Sequence, residues 1–298
     1  MRQINCPVCK EPPYQPILSN EICACLKCGL SWTYIPDQLD TEALYKDEIY
    51  AIVDNRKSVF ERIIFYEAGK VLKGAKNIQS KLNSLLDFGS GKGQFLWVAK
   101  EQGWHTLGIE TAQDRAEFAR KNYHVEVLGE MYTSGKIGDR RFDLISLNHV
   151  LEHLPDPITL LSQLVESNLS DQGLVYIEVP RANSWQAKIA GKNWMHWDIP
   201  KHLGHWNSKV LTAQLDQMNL KVVGKRSFSI HLGVLGMLQA LMSVFGYRDN
   251  IILRLKRKKT LGLFLGIGLL LPFAFTLEGL SCFFQGSGIF GIYAEKND

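Results

Sequence analysis

A chain of 298 residues with 46% hydrophobic content is long enough for one large α/β domain plus a small appended module, and it needs no disulfides to hold a core. Charged residues make up 21% and the formal net charge is +4, which excludes the global basic field that would make nucleic acid the main partner. The start Met1-Arg2-Gln3-Ile4-Asn5-Cys6 has no apolar run after its charge, so no secretory leader is expected and the expected compartment is the cytoplasm.

Five of the six cysteines fall within the first 28 residues. In a reducing compartment such crowding favours a metal site over disulfides. Cys6-Pro7-Val8-Cys9 and Cys25-Leu26-Lys27-Cys28 are two CxxC knuckles separated by 15 residues, a spacing that lets four thiolates surround one tetrahedral Zn2+. Four ligands fill the shell, so this zinc is expected to be structural, within a zinc-ribbon-like module over residues 1–35. Two reactive thiol pairs are the competing reading, although neither knuckle lies in a thioredoxin-like unit. Cys23 is surplus to the ligand set, and Cys282 sits in apolar sequence that suits core packing. No basic run or interleaved aromatics accompany the knuckles, so no nucleic-acid partner is expected.

Residues 36–80 read as a connector containing Pro36, followed by a leading helix in which Phe60, Ile63, Ile64, Val71 and Leu72 recur at helical spacing. Strands and helices then alternate. Ser84–Phe88, His105–Ile109, Val125–Leu128, Phe142–Leu147 and Leu174–Val179 read as strands; Gln94–Gln102, Ala112–Asn122, Ile158–Asn168 and Val210–Met218 read as helices. Lys221–Phe228 and Ile289–Ala294 supply a sixth and a seventh strand. This alternation predicts an α/β fold whose seven-stranded, mostly parallel sheet carries helices on both faces and binds ligands beyond the carboxyl ends of its strands. The core is assigned to 81–228, with its last strand in 287–298.

Asp87-Phe88-Gly89-Ser90-Gly91-Lys92-Gly93 places three glycines where a strand turns into a helix, and Glu110 ends the next strand 17 residues past Gly93. A carboxylate there can accept from both hydroxyls of an adenosine ribose, in NAD or in S-adenosylmethionine. The GxGxG spacing and the acidic Asp87 suit a cationic cofactor without phosphate better than a pyrophosphate. A cap or loop hydrogen bond is the plainer reading of Asp87.

Those residues, together with Phe142 to Pro157 (FDLISLNHVLEHLPDP), resemble the first, second and fourth motifs of class I S-adenosylmethionine-dependent methyltransferases. The resemblance implies a Rossmann-like fold with Asp87, Gly89 and Gly91 along the methionine part, Glu110 on the ribose, and Glu130 and Met131 flanking the adenine. Ser90, Gly93 and Asn148 complete the cofactor-binding set. The four-cysteine module ahead of Cys28-Gly29-Leu30, Tyr45 and Tyr50 resembles that of a bacterial methyltransferase group linked to surface-polysaccharide and sugar modification, which implies a small-molecule or saccharide acceptor. O- or C-methylation is the expected chemistry.

Trp194 to Trp206 (WMHWDIPKHLGHW) concentrates three histidines and three tryptophans after the fifth strand. A histidine there could remove the acceptor's proton, and His202 is the first candidate, with His153 the second. The plainer reading is a loop folded over the sheet with hydrogen-bonded histidines and core tryptophans. A second metal site on His196, His202 and His205 lacks a clear fourth ligand.

Residues 229–286 read as an apolar helical insertion before the last strand. Leu261 to Leu277 is 17 uncharged residues, about 26 Å as a helix and short of a roughly 30 Å hydrocarbon core. With Leu232–Phe245 it permits a hairpin that dips into one leaflet, Arg254, Lys256, Arg257, Lys258 and Lys259 meeting anionic headgroups at the inner face of the membrane. A buried lid or a dimer face is the alternative. Two rival functions stay open: a NAD-dependent enzyme, and a non-catalytic zinc adaptor with a vestigial pocket.

Overall fold

The computed structural model describes residues 3–10, 14–18, 21–35, 58–130, 132, 137–257 and 260–297. The connector stretch 36–57, with Pro36, Tyr45 and Tyr50, lies outside them, as do Met131, Lys258 and Lys259. Among the described residues the strands form two sheets.

The larger sheet is built from β4 (Ser84–Phe88), β5 (His105–Ile109), β6 (Val127–Leu128), β7 (Phe142–Asn148), β8 (Leu169–Pro180), β10 (Leu220–Arg226) and β11 (Ile289–Lys296). Its order is β10-β11-β8-β7-β4-β5-β6, with β11 antiparallel to both neighbours and the other pairings parallel. Successive residues of a strand face opposite sides, and the core divides accordingly. Leu85 and Leu144 point to one side, against α1 (Val59–Ile78), α2 (Gln94–Glu101) and α3 (Gln113–Tyr123), through Leu72, Leu96 and Ala119. Leu86 and Ile145 point to the other, against α4 (Pro157–Asn168) and α6 (Ser208–Gln217), through Leu164 and Leu215. Helix α1 starts where the Ser58 side chain accepts from the Glu61 N–H at 3.1 Å, an N-cap.

The smaller sheet is antiparallel, with order β1-β2-β3-β9, from β1 (Tyr14–Leu18), β2 (Ile22–Cys25), β3 (Ser31–Thr33) and β9 (Gly204–His205). Its fourth strand thus comes from the histidine- and tryptophan-rich segment that follows helix α5 (Trp185–Ala190), with Ser31 opposite His205 and Trp32 opposite Gly204. Gln3 donates to the Leu203 carbonyl at 2.8 Å and Thr33 donates to that of His202. Trp32 and Trp206 are fully buried in the core that α4 and α6 share with the cysteine module.

After β10 a π-helical turn (Ile230–Val234) leads into α7 (Leu235–Val244), α8 (Ile251–Arg257) and α9 (Leu261–Phe283). Sequence reading ends the apolar helix at Leu277; it runs 23 residues, to Phe283, because Glu278 is accommodated instead of stopping it. Glu278 is fully buried and accepts from Gln186 Nε2 at 3.0 Å and Gly288 N at 2.8 Å. At 1.5 Å per residue α9 is about 35 Å long. It packs on α7 through Leu263 and Ala274, yet only 17% of its most apolar 18-residue window is buried.

Candidate active site

The three glycines of the turn after β4 all have positive φ: +71° at Gly89, +54° at Gly91 and +82° at Gly93. A Cβ on Gly89 would lie 2.5 Å from Val150 Cγ2, and one on Gly93 would lie 2.8 Å from Ala119 Cβ, so both are required by packing as well as by backbone conformation. At Gly91 the same position meets nothing within 4 Å, which leaves the backbone approachable by a ligand.

Two buried carboxylates flank that opening. Asp87 accepts from Ser146 Oγ at 2.6 Å, with Asn148 Nδ2 at 3.5 Å. Burial dominates these hydrogen bonds and pushes the Asp87 carboxyl up to about 7, so a cationic ligand group is what would restore its charge. Glu110 accepts from Gly91 N through Oε2 and from Ala112 N through Oε1, both at 2.8 Å. Each oxygen keeps a second lone pair, enough for one ribose hydroxyl apiece. Ser90 is buried, with its hydroxyl toward Gly108. Glu130 is exposed, two residues past the end of β6.

A cavity of about 260 Å³ lies beyond the turn, lined by Asp87, Gly89, Gly91 and Asn148 on one side and by Glu67, His149, Glu178, Arg226 and His231 on the other. The second wall is a continuous polar chain. Glu178 accepts from Tyr176 Oη and Arg226 Nη1, and its Oε1 lies 3.3 Å from His149 Nε2. Arg226 Nη2 is 3.7 Å from Glu67 Oε1. Glu67 accepts in turn from Ser229 Oγ at 2.9 Å, from the Ile230 N–H and from His231 Nδ1. Burial would raise Glu67, but the hydrogen bond and charge of His231, the Ile230 N–H and Arg226 outweigh it and hold the carboxyl below its usual range. With Nδ1 held against Glu67, the neutral imidazole form of His231 would present Nε2 as a base.

The two histidines favoured by sequence stand elsewhere. Neither His202 nor His153 is among the residues lining this cavity. Their rings meet edge to face at 4.6 Å, behind His149, and His202 is buried. Burial, with the nearby His202, holds His153 down to about 4, and burial lowers His202 too, so both are neutral at pH 7. His196 and His205 are buried as well, the latter 3.0 Å from Thr33 Oγ1, and Trp194 and Trp206 are core residues. The segment therefore has the character of a folded cover over the sheet. Imidazoles at the cavity come instead from His149, inside the NHVLEH stretch, and His231, in the π-helical turn.

Cys6, Cys9, Cys25 and Cys28 converge, all four sulfurs lying within 4.8 Å of one another. Cys6 and Cys28 Sγ are 3.6 Å apart, Cys9 and Cys25 Sγ 3.4 Å, and Cys28 N donates to Cys25 Sγ at 3.4 Å. A tetrahedron with Zn–S near 2.3 Å has sulfurs roughly 3.8 Å apart, so these thiols fit a Zn2+ with little movement. Cys23 is buried outside the cluster.

A methyltransferase-domain family model matches residues 60–225, from the leading helix to β10. A ubiquinone biosynthesis O-methyltransferase from Actinobacillus pleuropneumoniae serotype 7 (strain AP76) is 25% identical over 165 residues, 48% of this chain and 70% of that protein. A SAM-dependent methyltransferase from Archaeoglobus fulgidus superposes with a TM-score of 0.51 at 17% identity, covering 86% of this chain and 100% of that one. The plantazolicin methyltransferase BpumL, solved with SAH, superposes at 0.52 with 14% identity over 86% of this chain and 93% of its own.

Proposed function

We propose, for a chain that belongs to the methyltransferase-domain family and is a SAM-dependent methyltransferase, transfer of the methyl group to a hydroxyl of a small-molecule or saccharide acceptor in the cavity between Asp87 and His231. When bound, S-adenosylmethionine supplies an electrophilic methyl on a sulfonium. The residues fit that cofactor: an approachable Gly91, a buried Asp87 suited to an ammonium group, and Glu110 suited to ribose hydroxyls. A NAD-dependent reading loses its ground to the family match, and a vestigial pocket is disfavoured by a cavity that side chains leave open.

The observation that carries the proposal is the Glu67–His231 pair in the cavity wall. An acceptor hydroxyl must lose its proton as its oxygen takes the methyl, and His231 Nε2 is the group to receive it, oriented through Nδ1 by Glu67. The relative named as an O-methyltransferase supports an oxygen acceptor. Asn148 would help hold the cofactor, and Glu130 the adenine. The four cysteines would hold a structural Zn2+ that fixes β2 and β3, and through β9 the cover over the sheet.

A saccharide linked to lipid is the favoured acceptor, for a reason of surface chemistry. Leu265, Leu269 and Phe273 lie on one exposed stripe of α9, Phe245 is exposed beside Gly266 and Leu269, and Phe283 and Phe284 are exposed at the helix C-terminus. The sequence ahead of α9 carries Arg254 and the Lys256 to Lys259 basic run. An apolar helix beside a cationic stretch suits the surface of an anionic bilayer, at the inner face of the cytoplasmic membrane. The test is incubation of the full chain with labelled S-adenosylmethionine and an extract of cell-envelope saccharides, followed by mass spectrometry. Label on a saccharide oxygen is expected; label confined to other molecules overturns the acceptor class.

A further inference from the structure

Behind His149, at the end of β7, a second cluster of metal-ligating side chains is assembled from two distant segments. Glu152 and His153 come from the 3-10 turn Leu151–His153, and His202 comes from the cover over the sheet. Their ligand atoms all lie within 4.8 Å of one another. We propose that Glu152, His153 and His202 bind a divalent transition-metal cation of the Zn2+ class, at a site separate from the four cysteines.

Three features carry this assignment. The first is the state of Glu152, which is 1% exposed and has no hydrogen-bond partner for either carboxylate oxygen among the described residues. Its nearest cationic group there is His149, with Nδ1 3.4 Å from Oε1. The His149 imidazole offsets part of that buried charge, and a cation directly on the carboxylate would satisfy the oxygens that no hydrogen bond of good geometry reaches.

The second feature is the orientation of both imidazoles. His153 Nδ1 lies 3.0 Å from the Lys201 carbonyl and His202 Nδ1 lies 2.7 Å from the His196 carbonyl. A carbonyl only accepts, so each Nδ1 carries the proton and each Nε2 presents a lone pair. Metal-binding histidines are held this way, one nitrogen donating to a carbonyl and the other on the ion. Asp198 Oδ2 stands 3.9 Å from His202 Nε2, a further oxygen at the edge of the cluster.

The third is the ligand set. Two imidazoles and one carboxylate suit Zn2+, Fe2+ or Mn2+, and three protein ligands leave a coordination position open. His153 is only partly buried, the most exposed of the three ligands. His149 touches Glu152 on one side and lines the cofactor cavity on the other, so the cation would sit one imidazole away from the transfer site. The assignment does not depend on the methyltransferase reading.

The test is metal counting on the full chain, stripped with chelator and reloaded with Co2+ or Zn2+. Cobalt separates the two sites, since thiolate charge-transfer bands report the cysteines and d–d bands without them report a nitrogen and oxygen site. Two equivalents are expected for the wild type. Glu152→Gln is expected to lose one, with the thiolate bands intact. Should Glu152→Gln not fold, His153→Ala, at a partly exposed position, is expected to weaken the second site about tenfold or more. Retention of the same metal content and spectrum by a folded Glu152→Gln or His153→Ala overturns the site. Calorimetry with S-adenosylmethionine on the same samples reports the cofactor pocket independently, so failure of either idea is visible without the other.

Discussion

The cavity wall and helix α9 satisfy their residues in opposite ways. Around the cavity, Glu178, His149, Arg226, Glu67 and His231 form one chain of contacts, so each charged group has its partner inside the protein. Along α9, Leu265 and Leu269 are 65% and 69% exposed among the described residues. A wall of paired charges is preorganised for chemistry, because its dipoles are already aimed before a ligand arrives. A helix apolar on nearly every side has a surface that calls for something outside the chain.

The contrast breaks most visibly at His231. His231→Ala is expected to lower kcat by about 10²–10⁴-fold, the range for a lost general base, with cofactor affinity little changed. Single-turnover methyl transfer measures it, and an unaltered rate would remove His231 from the reaction.

A smaller effect comes from Asp87. Its folded pKa, about 7, lies above the roughly 3.9 of an unfolded aspartate. The free protein thus gains stability from this group below about pH 4 and loses it as pH rises through about 7. Cationic cofactor needs the ionised form, so its affinity should rise about tenfold from pH 6 to pH 8 and level off above that. Asp87→Asn should flatten the profile in calorimetric titration; a profile equally steep in that variant would assign the dependence to another group.

The smallest effect on the fold itself is expected on α9. Replacing Leu265, Leu269 and Phe273 with Gln should change stability by no more than about 0.5 kcal/mol per site, since exposed positions bear little packing. Flotation with anionic liposomes should nevertheless fall sharply. Equal flotation by the triple variant would mean that this helix surface is not what meets the lipid.

Legibility in the sequence followed the range of the interactions. Each strand from β4 to β8 carries its own apolar run, and the turn from Asp87 to Gly93 is fixed by local backbone geometry, so both could be read from a few adjacent residues. The cysteine knuckles could be read too, because two short repeats define their spacing. Glu67 could not: on an amphipathic helix it looks like a solvated residue, and its neighbours His231 and Arg226 arrive from 159 or more residues further along. His149 lay within a quoted motif, yet only its left-handed backbone, φ +54°, and its contacts with Glu152 and Glu178 set it apart from His153. For His202 the residue type and the segment suggested catalysis, while the burial that removes it from the cavity depends on β3, which lies 169 residues earlier.

The pairing of β3 with β9 also orders events during synthesis. The small sheet spans residues 14–205, so its last strand leaves the ribosome long after the first three. At roughly 5–20 residues per second, the cysteine module waits many seconds for Gly204 and His205 before its edge can close. Until then the nascent chain carries an uncovered strand and exposed Trp32, and early capture of a metal by the four thiols would be what keeps that fragment from sticking to its neighbours.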